Sequence, residues 1–328
     1  MKIRGFKVFV LALLAALFLT GGQAMAADAK FPDGPINFIV AYGPGGANDI
    51  CARMLAPELE KILGVPVTVT NIPGGGGWIG YDAILNATPD GQTIGMLSSP
   101  AVISGYVNPE TGRTNTYRDF APLVNFANDY QVICCRPDET RFKTFKELVE
   151  YSKNNEVLIS GTAGAGSDGM LIAKMNSIEG AQFVHLATNG ASESLTNLYG
   201  KHCDICSIDI SETTAPLKGG QIKALAVAAT KRVPQNPDIP TIEEECGVAI
   251  VNFSARGIAT SAKVPEERLA ILRDALTKAF QSEELKKGLA AQGIVVEMMD
   301  SKEYTEYLDR TEQELKEIGP KYFGWELK

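Results

Sequence analysis

The stretch Tyr42-Gly43-Pro44-Gly45-Gly46-Ala47-Asn48-Asp49 decides the fold, because it joins a strand pattern to a helix pattern through a glycine-rich turn. The apolar run Ile36–Tyr42 predicts a strand, and the spacing in Asn48–Leu63 predicts a helix. Glycines let a backbone approach a ligand closely, and a helix start leaves N–H groups without partners. With the positive end of the helix dipole, these donors predict an anion site that needs no lysine or arginine.

A second segment has the same layout near the middle of the chain. The strand pattern Val157–Ser160 is followed by the turn Gly161-Thr162-Ala163-Gly164-Ala165-Gly166-Ser167 and by a helix from Asp168 or Gly169. If each lobe contributes one such turn, a ligand with two anionic groups, or with one anionic and one polar group, would bridge them. The alternative, which the pattern leaves open, is that both segments are only tight turns of a parallel sheet.

Strand and helix patterns alternate along the remaining sequence, which predicts an α/β protein with mainly parallel sheets and helices on both faces. No linker rich in proline, glycine or serine divides the chain into two halves. We expect the chain to cross out of a first lobe near Asn125 and to return near Thr230. The expected division is a signal peptide at 1–26, lobe 1 at 27–125 plus 231–328, and lobe 2 at 126–230.

The N-terminus has the features of a secretory signal. Three basic residues precede the apolar run Val8–Leu19, and Ala24-Met25-Ala26 supplies a cleavage site. Cleavage after Ala26 leaves 28 basic and 39 acidic residues, a net charge of −11 against −8 for the 328-residue chain. An acidic surface disfavours nucleic acid and anionic membranes as partners, so we expect a periplasmic protein that is not membrane-inserted when mature.

No catalytic, metal or cofactor site emerges from the sequence. Ser167 follows Ala165 where a nucleophile elbow needs glycine, and the glycine turns lack the remaining features of nucleotide-binding loops. Only two histidines exist, His185 in an apolar strand and His202 at a turn. Six cysteines fit structural thiols or disulfides, and the spacing of Cys203 and Cys206 leaves redox or metal chemistry as an alternative.

The chain resembles the tripartite tricarboxylate transporter substrate-binding proteins, also called Bug or TctC-like receptors. The resemblance runs in family order through almost the whole mature chain. It is carried by Phe31-Pro32-Asp33-Gly34-Pro35-Ile36, Tyr42–Asp49, Asn71-Ile72-Pro73-Gly74-Gly75-Gly76-Gly77, Thr88-Pro89-Asp90-Gly91, Gly164–Ser167, Gly190–Asp204, Ile222-Lys223-Ala224-Leu225-Ala226-Val227, Lys231-Arg232, Pro237-Asp238-Ile239-Pro240-Thr241 and Arg256-Gly257-Ile258-Ala259.

This resemblance implies a type II periplasmic-binding-protein fold, with two lobes that close on a small carboxylate in a central cleft. It implies no enzymatic activity and no cofactor, and its partner would be a membrane permease with a large and a small subunit. Ligand contacts are implied mainly for backbone amides, with Ser98, Ser99 and Asp209 as additional candidates. The residues carried over from the family loops are Pro44, Gly45, Gly46, Ala47, Asn48, Gly164, Ala165, Gly166 and Ser167.

Three departures from the family pattern are present: the six cysteines, in which the family is usually poor, and two changes near the expected pocket. Ala187-Thr188-Asn189-Gly190 stands where the family commonly has Pro-Tyr-Lys-Gly, so Thr188 changes one wall of the pocket. Asp168 is either a first-turn acid favoured by the helix dipole or the acceptor of a ligand ammonium group. We expect main-chain donors, rather than cationic side chains, to hold the ligand's negative end. A sensory receptor for a membrane kinase and, less favoured, an exported hydrolase remain alternatives.

Overall fold

The computed structural model describes residues 31–162, 164–234 and 236–327. The expected signal peptide and Ala163 of the second glycine turn lie outside the described residues. Within these ranges the strands are β1 (Ile36–Val40), β2 (Val67–Asn71), β3 (Thr93–Ser99), β4 (Phe120–Cys135), β5 (Val157–Thr162), β6 (Phe183–Thr188), β7 (Ile205–Asp209), β8 (Lys223–Val227), β9 (Phe253–Ser261) and β10 (Val296–Met299).

The helices alternate with these strands over much of the chain. None of the helices in the described ranges combines the length and the apolar character needed to cross a bilayer. They are α1 (Ala47–Leu63), α2 (Trp78–Asn86), α3 (Ala101–Val107), α4 (Phe145–Ser152), α5 (Ser167–Met175), α6 (Ala191–Tyr199), α7 (Ile210–Lys218), α8 (Ile242–Cys246), α9 (Glu266–Gln281), α10 (Glu283–Ala291) and α11 (Ser301–Tyr322).

The 16-residue strand β4 passes through two sheets. Its first part, Phe120–Tyr130, pairs with β9, and the first sheet has the order β2-β1-β3-β9-β4 with β10 also on β4. Its last part, Gln131–Cys135, pairs with β7, and the second sheet continues through β5 to β6, with β8 on the other side of β4. β4 therefore connects the two halves of the molecule.

The α/β class is confirmed, but the sheets are mixed rather than mainly parallel. β1 is parallel to β2 and β3, and β5 is parallel to β6 and β7. In contrast, β9 is antiparallel to both β3 and β4, and β7, β8 and β10 are antiparallel to β4. The sequence did not indicate these antiparallel strands, because β9 and the first part of β4 carry no clear strand pattern. In β4, Pro122 and two register shifts interrupt the pairing with β9.

Apolar clusters cover both faces of each sheet. In the first sheet, Phe126 of β4 stacks on Phe280 of α9 with ring centroids 4.6 Å apart, whereas Trp78 and Tyr304 lie in a cluster on the other face. In the second sheet, the core around Phe145 and Val157 includes Ile242 and Ile250. Ile239 lies in the other core of the same sheet, so residues 239–250 pack against the second sheet.

Candidate functional site

The first glycine turn, Gly43–Gly46, is exposed between β1 and α1. Gly46 caps α1 without a side-chain hydrogen bond. The carboxylate of Asp49 accepts hydrogen bonds from the backbone N–H of Gly45 at 2.9 Å and from Arg53 Nε at 3.0 Å. Because Asp49 uses the Gly45 N–H, the donors that this turn offers to a ligand are the first N–H groups of α1.

The second glycine turn precedes α5, which Gly166 caps without a side-chain hydrogen bond. Ala165 is buried, and Ser167 is half-buried at the start of the helix. The carboxylate of Asp168 accepts hydrogen bonds from the backbone N–H of Thr162 at 2.8 Å and from Ser207 Oγ at 2.6 Å. The Asp168 carboxylate therefore binds the turn from its core side. The first N–H groups of α5 remain available as donors.

Side chains of β9 connect the two helix starts. Ser254 and Arg256 lie two residues apart on one face of the strand. Ser254 Oγ donates to Ser167 Oγ at 3.0 Å on α5, and Arg256 Nη1 donates to Asn48 Oδ1 at 3.3 Å on α1. Asn48 Nδ2 in turn donates to Ser98 Oγ at 3.1 Å. The starts of α1 and α5 thus converge on one polar cluster, although they are 119 residues apart in sequence between Asn48 and Ser167.

Two aspartates from neighbouring strands share the buried guanidinium of Arg256. Its Nη2 is paired with Asp129 of β4 and lies 3.3 Å from Asp209 Oδ2 at the end of β7. Asp129 also accepts hydrogen bonds from the backbone N–H and the hydroxyl of Ser211, and Asp209 accepts from Gln131 Nε2. We call this group, with Glu212 beside it at the start of α7, the acidic cluster.

Two carboxyl groups of the acidic cluster, those of Asp209 and Glu212, have raised pKa values. Burial raises the pKa of Asp209 well above its usual range, and the charges of Asp129 and Glu212 raise it further, against the opposing effect of Arg256. Burial, followed by the charge of Asp129, raises the pKa of Glu212 to about 7. Glu212 is exposed at the start of α7. Asp129 and Asp209 therefore contact the guanidinium directly, and Glu212 adds a third carboxyl group beside them.

The sequence candidates separate into three groups. Asn48, Ser98, Ser167 and Asp209 meet in the network around Ser254 and Arg256. The others in the two turns present mainly backbone: Pro44, Gly45, Gly46, Ala47, Gly164, Ala165 and Gly166.

Three candidate side chains point elsewhere. Ser99 is buried and follows Ser98 on β3, so the two side chains lie on opposite faces. Thr188 is buried and donates to the carbonyl of Gly161 at 3.0 Å. The Asp168 carboxylate is occupied by Thr162 and Ser207, with its pKa raised by burial against these hydrogen bonds. None of these three contacts the β9 network through the hydrogen bonds of the described residues.

The sequence analysis missed the side chains of β4, β9 and α7 that connect the site. Ser254 and Arg256 alternate with Ala255, and Asp129 and Gln131 alternate with Tyr130, as expected for strands with one polar face. This period-2 signal was available, but short polar runs between apolar segments also fit loops. Arg256, a charged residue between Phe253 and the apolar pair Ile258-Ala259, was the strongest available sign.

Among the hydrogen bonds of the described residues, none joins Ser167 to a thiol or a histidine; Ser167 contacts Asn252 and Ser254. Cys51, Cys134, Cys135, Cys203, Cys206 and Cys246 are free in the described part of the chain, and all but Cys246 are buried. His185 contacts the carbonyl of Gly161 at 3.1 Å. No group of three or more His, Cys, Asp or Glu residues with the geometry for a metal ion is found among residues 31–162, 164–234 and 236–327.

Comparison with known proteins identifies relatives over almost the full chain. The profile of the tripartite tricarboxylate transporter family receptor matches residues 51–321. The UPF0065 protein in the gbd 5′ region of Cupriavidus necator is 30% identical over 318 residues, which cover 94% of this chain and 94% of that protein.

Solved structures share the same fold. A TctC solute-binding protein from Polaromonas, solved without ligand, is 25% identical with a TM-score of 0.77, over 89% of this chain and 99% of that one. MatC from Rhodopseudomonas palustris, solved with bound malate, is 20% identical with a TM-score of 0.72, over 88% of this chain and 99% of that one, and supports the fold alone. The chain belongs to the tripartite tricarboxylate transporter receptor family.

Proposed function

We propose that this chain is an exported, periplasmic receptor that captures a small organic carboxylate and delivers it to a membrane permease with a large and a small subunit. The observation that carries the proposal is the convergence of α1 and α5 on the side chains of β9. Two helix starts with unpaired N–H groups suit the oxygens of a carboxylate. Membership of a receptor family supports capture rather than chemical conversion.

The binding site would lie between two lobes, one around each sheet. Residues 27–125 and 231–328 were expected in lobe 1, and residues 126–230 in lobe 2. The packing of Ile242 and Ile250 in the second core supports a longer second lobe that ends near residue 250. β4 and the segment leading into β9 would then form the two crossings, which is the arrangement needed for hinge closure.

Ligand contact is proposed first for main-chain donors at the starts of α1 and α5. The carboxylate would replace part of its hydration shell with these N–H groups and with ordered water. Side chains that could orient it are those of Asn48, Ser98, Ser167 and Asp209, since they already meet in one network. The remaining backbone candidates are Pro44, Gly45, Gly46, Ala47, Gly164, Ala165 and Gly166.

A thermal-shift screen of the purified mature protein tests this proposal. The panel contains mono-, di- and tricarboxylates, aromatic acids and amino acids, with the corresponding neutral amides as controls. A true ligand at about 100 times its Kd stabilises the folded state by about 2.7 kcal/mol and raises Tm, whereas its amide should not. Small-angle scattering on the best ligand should show a smaller radius of gyration than the protein alone.

Two results would contradict the proposal. If no carboxylate raises Tm, the receptor function fails. If a carboxylate binds and is converted to product, the chain is an enzyme instead. Binding without compaction would retain the receptor function and reject lobe closure.

A further inference from the structure

Arg256 has hydrogen-bonding capacity that its protein partners do not use fully. Its side chain is only 7% exposed, yet its Nε has no hydrogen-bond partner among the described residues. Its contacts with Asn48 Oδ1 and Asp209 Oδ2 are both long, at 3.3 Å. A buried N–H without a partner is costly, and long hydrogen bonds are weak. The guanidinium can therefore donate hydrogen bonds to a ligand carboxylate without giving up a strong hydrogen bond. Asp129 meanwhile holds the guanidinium in place.

Asp209 and Glu212 have the complementary excess: the cation paired with Asp209 is Arg256, at 3.3 Å, and Glu212 has no ion pair among the described residues. Asp209 accepts a hydrogen bond from Gln131 Nε2 and longer ones from Ser254 and Arg256, at 3.2 and 3.3 Å, and Glu212 accepts only the backbone N–H of Asp209, at 3.3 Å, among the hydrogen bonds of the described residues. Asp129, by contrast, is fully engaged by Ser211 and Arg256. A carboxylate has about four acceptor sites, so both Asp209 and Glu212 can accept a further hydrogen bond.

This charge distribution disfavours a plain dicarboxylate. Two like charges 4 Å apart repel by about 4 kcal/mol at the effective dielectric constant near a protein surface. A dicarboxylate would add two negative charges beside Asp129, Asp209 and Glu212, which already exceed the single guanidinium. A molecule with one cationic group would instead balance Asp209 and Glu212.

We infer that the ligand of this receptor is amphoteric: its carboxylate binds at the start of α1 beside Arg256, and its ammonium group binds Asp209 and Glu212. This inference rests on the proposed function and narrows its ligand class to amino acids and related amino carboxylates. It also moves the ammonium acceptor from Asp168, which is 5% exposed, to Asp209, whose side chain is 16% exposed, and to the exposed Glu212.

Matched ligand pairs that differ only in the amine test the inference. Isothermal titration calorimetry would compare L-glutamate with glutarate, L-aspartate with succinate, 4-aminobutyrate with butyrate, and L-leucine with 4-methylpentanoate, in a buffer with a metal chelator. A charged hydrogen bond to a carboxylate supports a preference of about 10- to 100-fold for the amine-bearing member of the best pair.

The variant Asp209→Asn assigns that preference to the proposed atoms. It should weaken binding of the amine-bearing ligand at least about tenfold and leave its deaminated partner unchanged or tighter, because a repelling charge is removed. Glu212→Gln should act in the same direction. Asp274→Asn is the matched control, because Asp274 is exposed on α9 and pairs only with Lys278 among its ion pairs in the described chain.

The outcomes distinguish the proposed receptor function from the inferred preference for amine-bearing ligands. An amine preference that Asp209→Asn removes and Asp274→Asn retains supports the inference. If the deaminated acids bind as tightly as the amino carboxylates or more tightly, the inference is wrong and the receptor function stands. If the preference exists but survives both Asp209→Asn and Glu212→Gln, the acceptor assignment is wrong. If no carboxylate of either kind binds, the proposed function fails and the inference fails with it.

Discussion

The two glycine turns begin their helices alike and diverge at the third helical residue. Each helix is capped by a glycine whose preceding turn contains a left-handed residue, Gly45 with φ of 80° and Gly164 with φ of 81°. In α1 the third residue is Asp49, whose carboxylate reaches back to the N–H of Gly45. In α5 the third residue is Gly169, where a Cβ atom would lie 2.1 Å from the carbonyl oxygen of Gly164. The second turn is therefore folded more closely over its helix.

This difference explains where each turn places its acid. In α5 the Gly164 carbonyl occupies the space that a side chain at the third position would need. The acidic residue of the second turn is therefore at the second position, Asp168, and its carboxylate binds the N–H of Thr162. Both carboxylates are buried, but Asp49 pairs with the 52%-exposed Arg53 and accepts a hydrogen bond from Asn71, whereas Asp168 accepts hydrogen bonds from the buried Ser207 hydroxyl and the Thr162 N–H. The turn before a helix start can thus be supported from the solvent side, by an acid paired with an exposed arginine, or from the core, by an acid bonded to a buried hydroxyl.

The largest effect is expected from adding a methyl group at the close contact in the second turn. Gly169→Ala should reduce the free energy of unfolding by about 3 kcal/mol, because the atom in the way is backbone and cannot rotate aside. Equilibrium urea unfolding measures this value. Gly166→Ala is the control: no atom lies within 4 Å of its added Cβ, so the loss should stay below about 1 kcal/mol. Equal losses would mean that the second turn is not closely folded.

The next effect compares the two acids. Asp168→Ala should reduce the free energy of unfolding by about 2–3 kcal/mol, because it leaves the buried Ser207 hydroxyl and the Thr162 N–H without partners. Asp49→Ala should cost about 1 kcal/mol, because water can reach its three donors, the exposed Gly45, Arg53 and the half-buried Asn71. The same urea titrations test both variants. A larger loss for Asp49→Ala would reverse the assignment of solvent-side and core-side support.

Both turns could be predicted from the sequence because their signals are local. A strand pattern, a glycine-rich turn and a helix pattern lie within about 25 residues in each case. The predicted start at Asn48 is one residue from the observed one, and the predicted start at Asp168 or Gly169 is one or two residues from it. Helix starts depend on the nearest few residues, so tertiary packing changes them little.

The side chains between the turns could not be predicted in the same way. Arg256 meets Asp129 and Asp209 only because β9 is antiparallel to β4 and β4 continues into the second sheet. That arrangement depends on strand order, which no local pattern encodes. The polar face of β9 also removes the apolar signal by which a strand is normally recognised. The sequence thus indicated the main-chain donors and missed the guanidinium beside them.

The contributions of Asp49 and Asp168 to the free energy of unfolding should change with pH in opposite directions. Although burial opposes ionisation, hydrogen bonds from Arg53 and Gly45 lower the pKa of Asp49, so its contribution is present above its ordinary pKa and is lost as the pH falls through the lowered value. Burial raises the pKa of Asp168, so stability is instead lost as the pH rises from its ordinary pKa through the raised one.

Conservative variants make this difference measurable. The stability gap between the native protein and Asp49→Asn should narrow as the pH falls from about 5 to 2, whereas the gap to Asp168→Asn should narrow as the pH rises above about 4. Urea unfolding across this pH range gives both gaps, and the effects should be smaller than those of the alanine variants because asparagine keeps the side-chain volume. Gaps that narrow in the same direction would show that both acids have the same environment.

The smallest effect tests what the turns share. Gly45→Ala and Gly164→Ala should each reduce the free energy of unfolding by about 1 kcal/mol, because both residues are left-handed and no atom lies within 4 Å of either added Cβ. Gly43→Ala, with equal space and no left-handed φ, should change it by less than about 0.5 kcal/mol. Because the cost at Gly45 and Gly164 is conformational, it should be equal whether the turn is held from solvent or from the core. The reduction in the free energy of unfolding could instead be well above that of Gly45→Ala for Gly164→Ala. This result would mean that the close contact of the Gly164 carbonyl with Gly169 also strains the left-handed residue, so that the two turns differ in backbone conformation as well as in the partners of their acids.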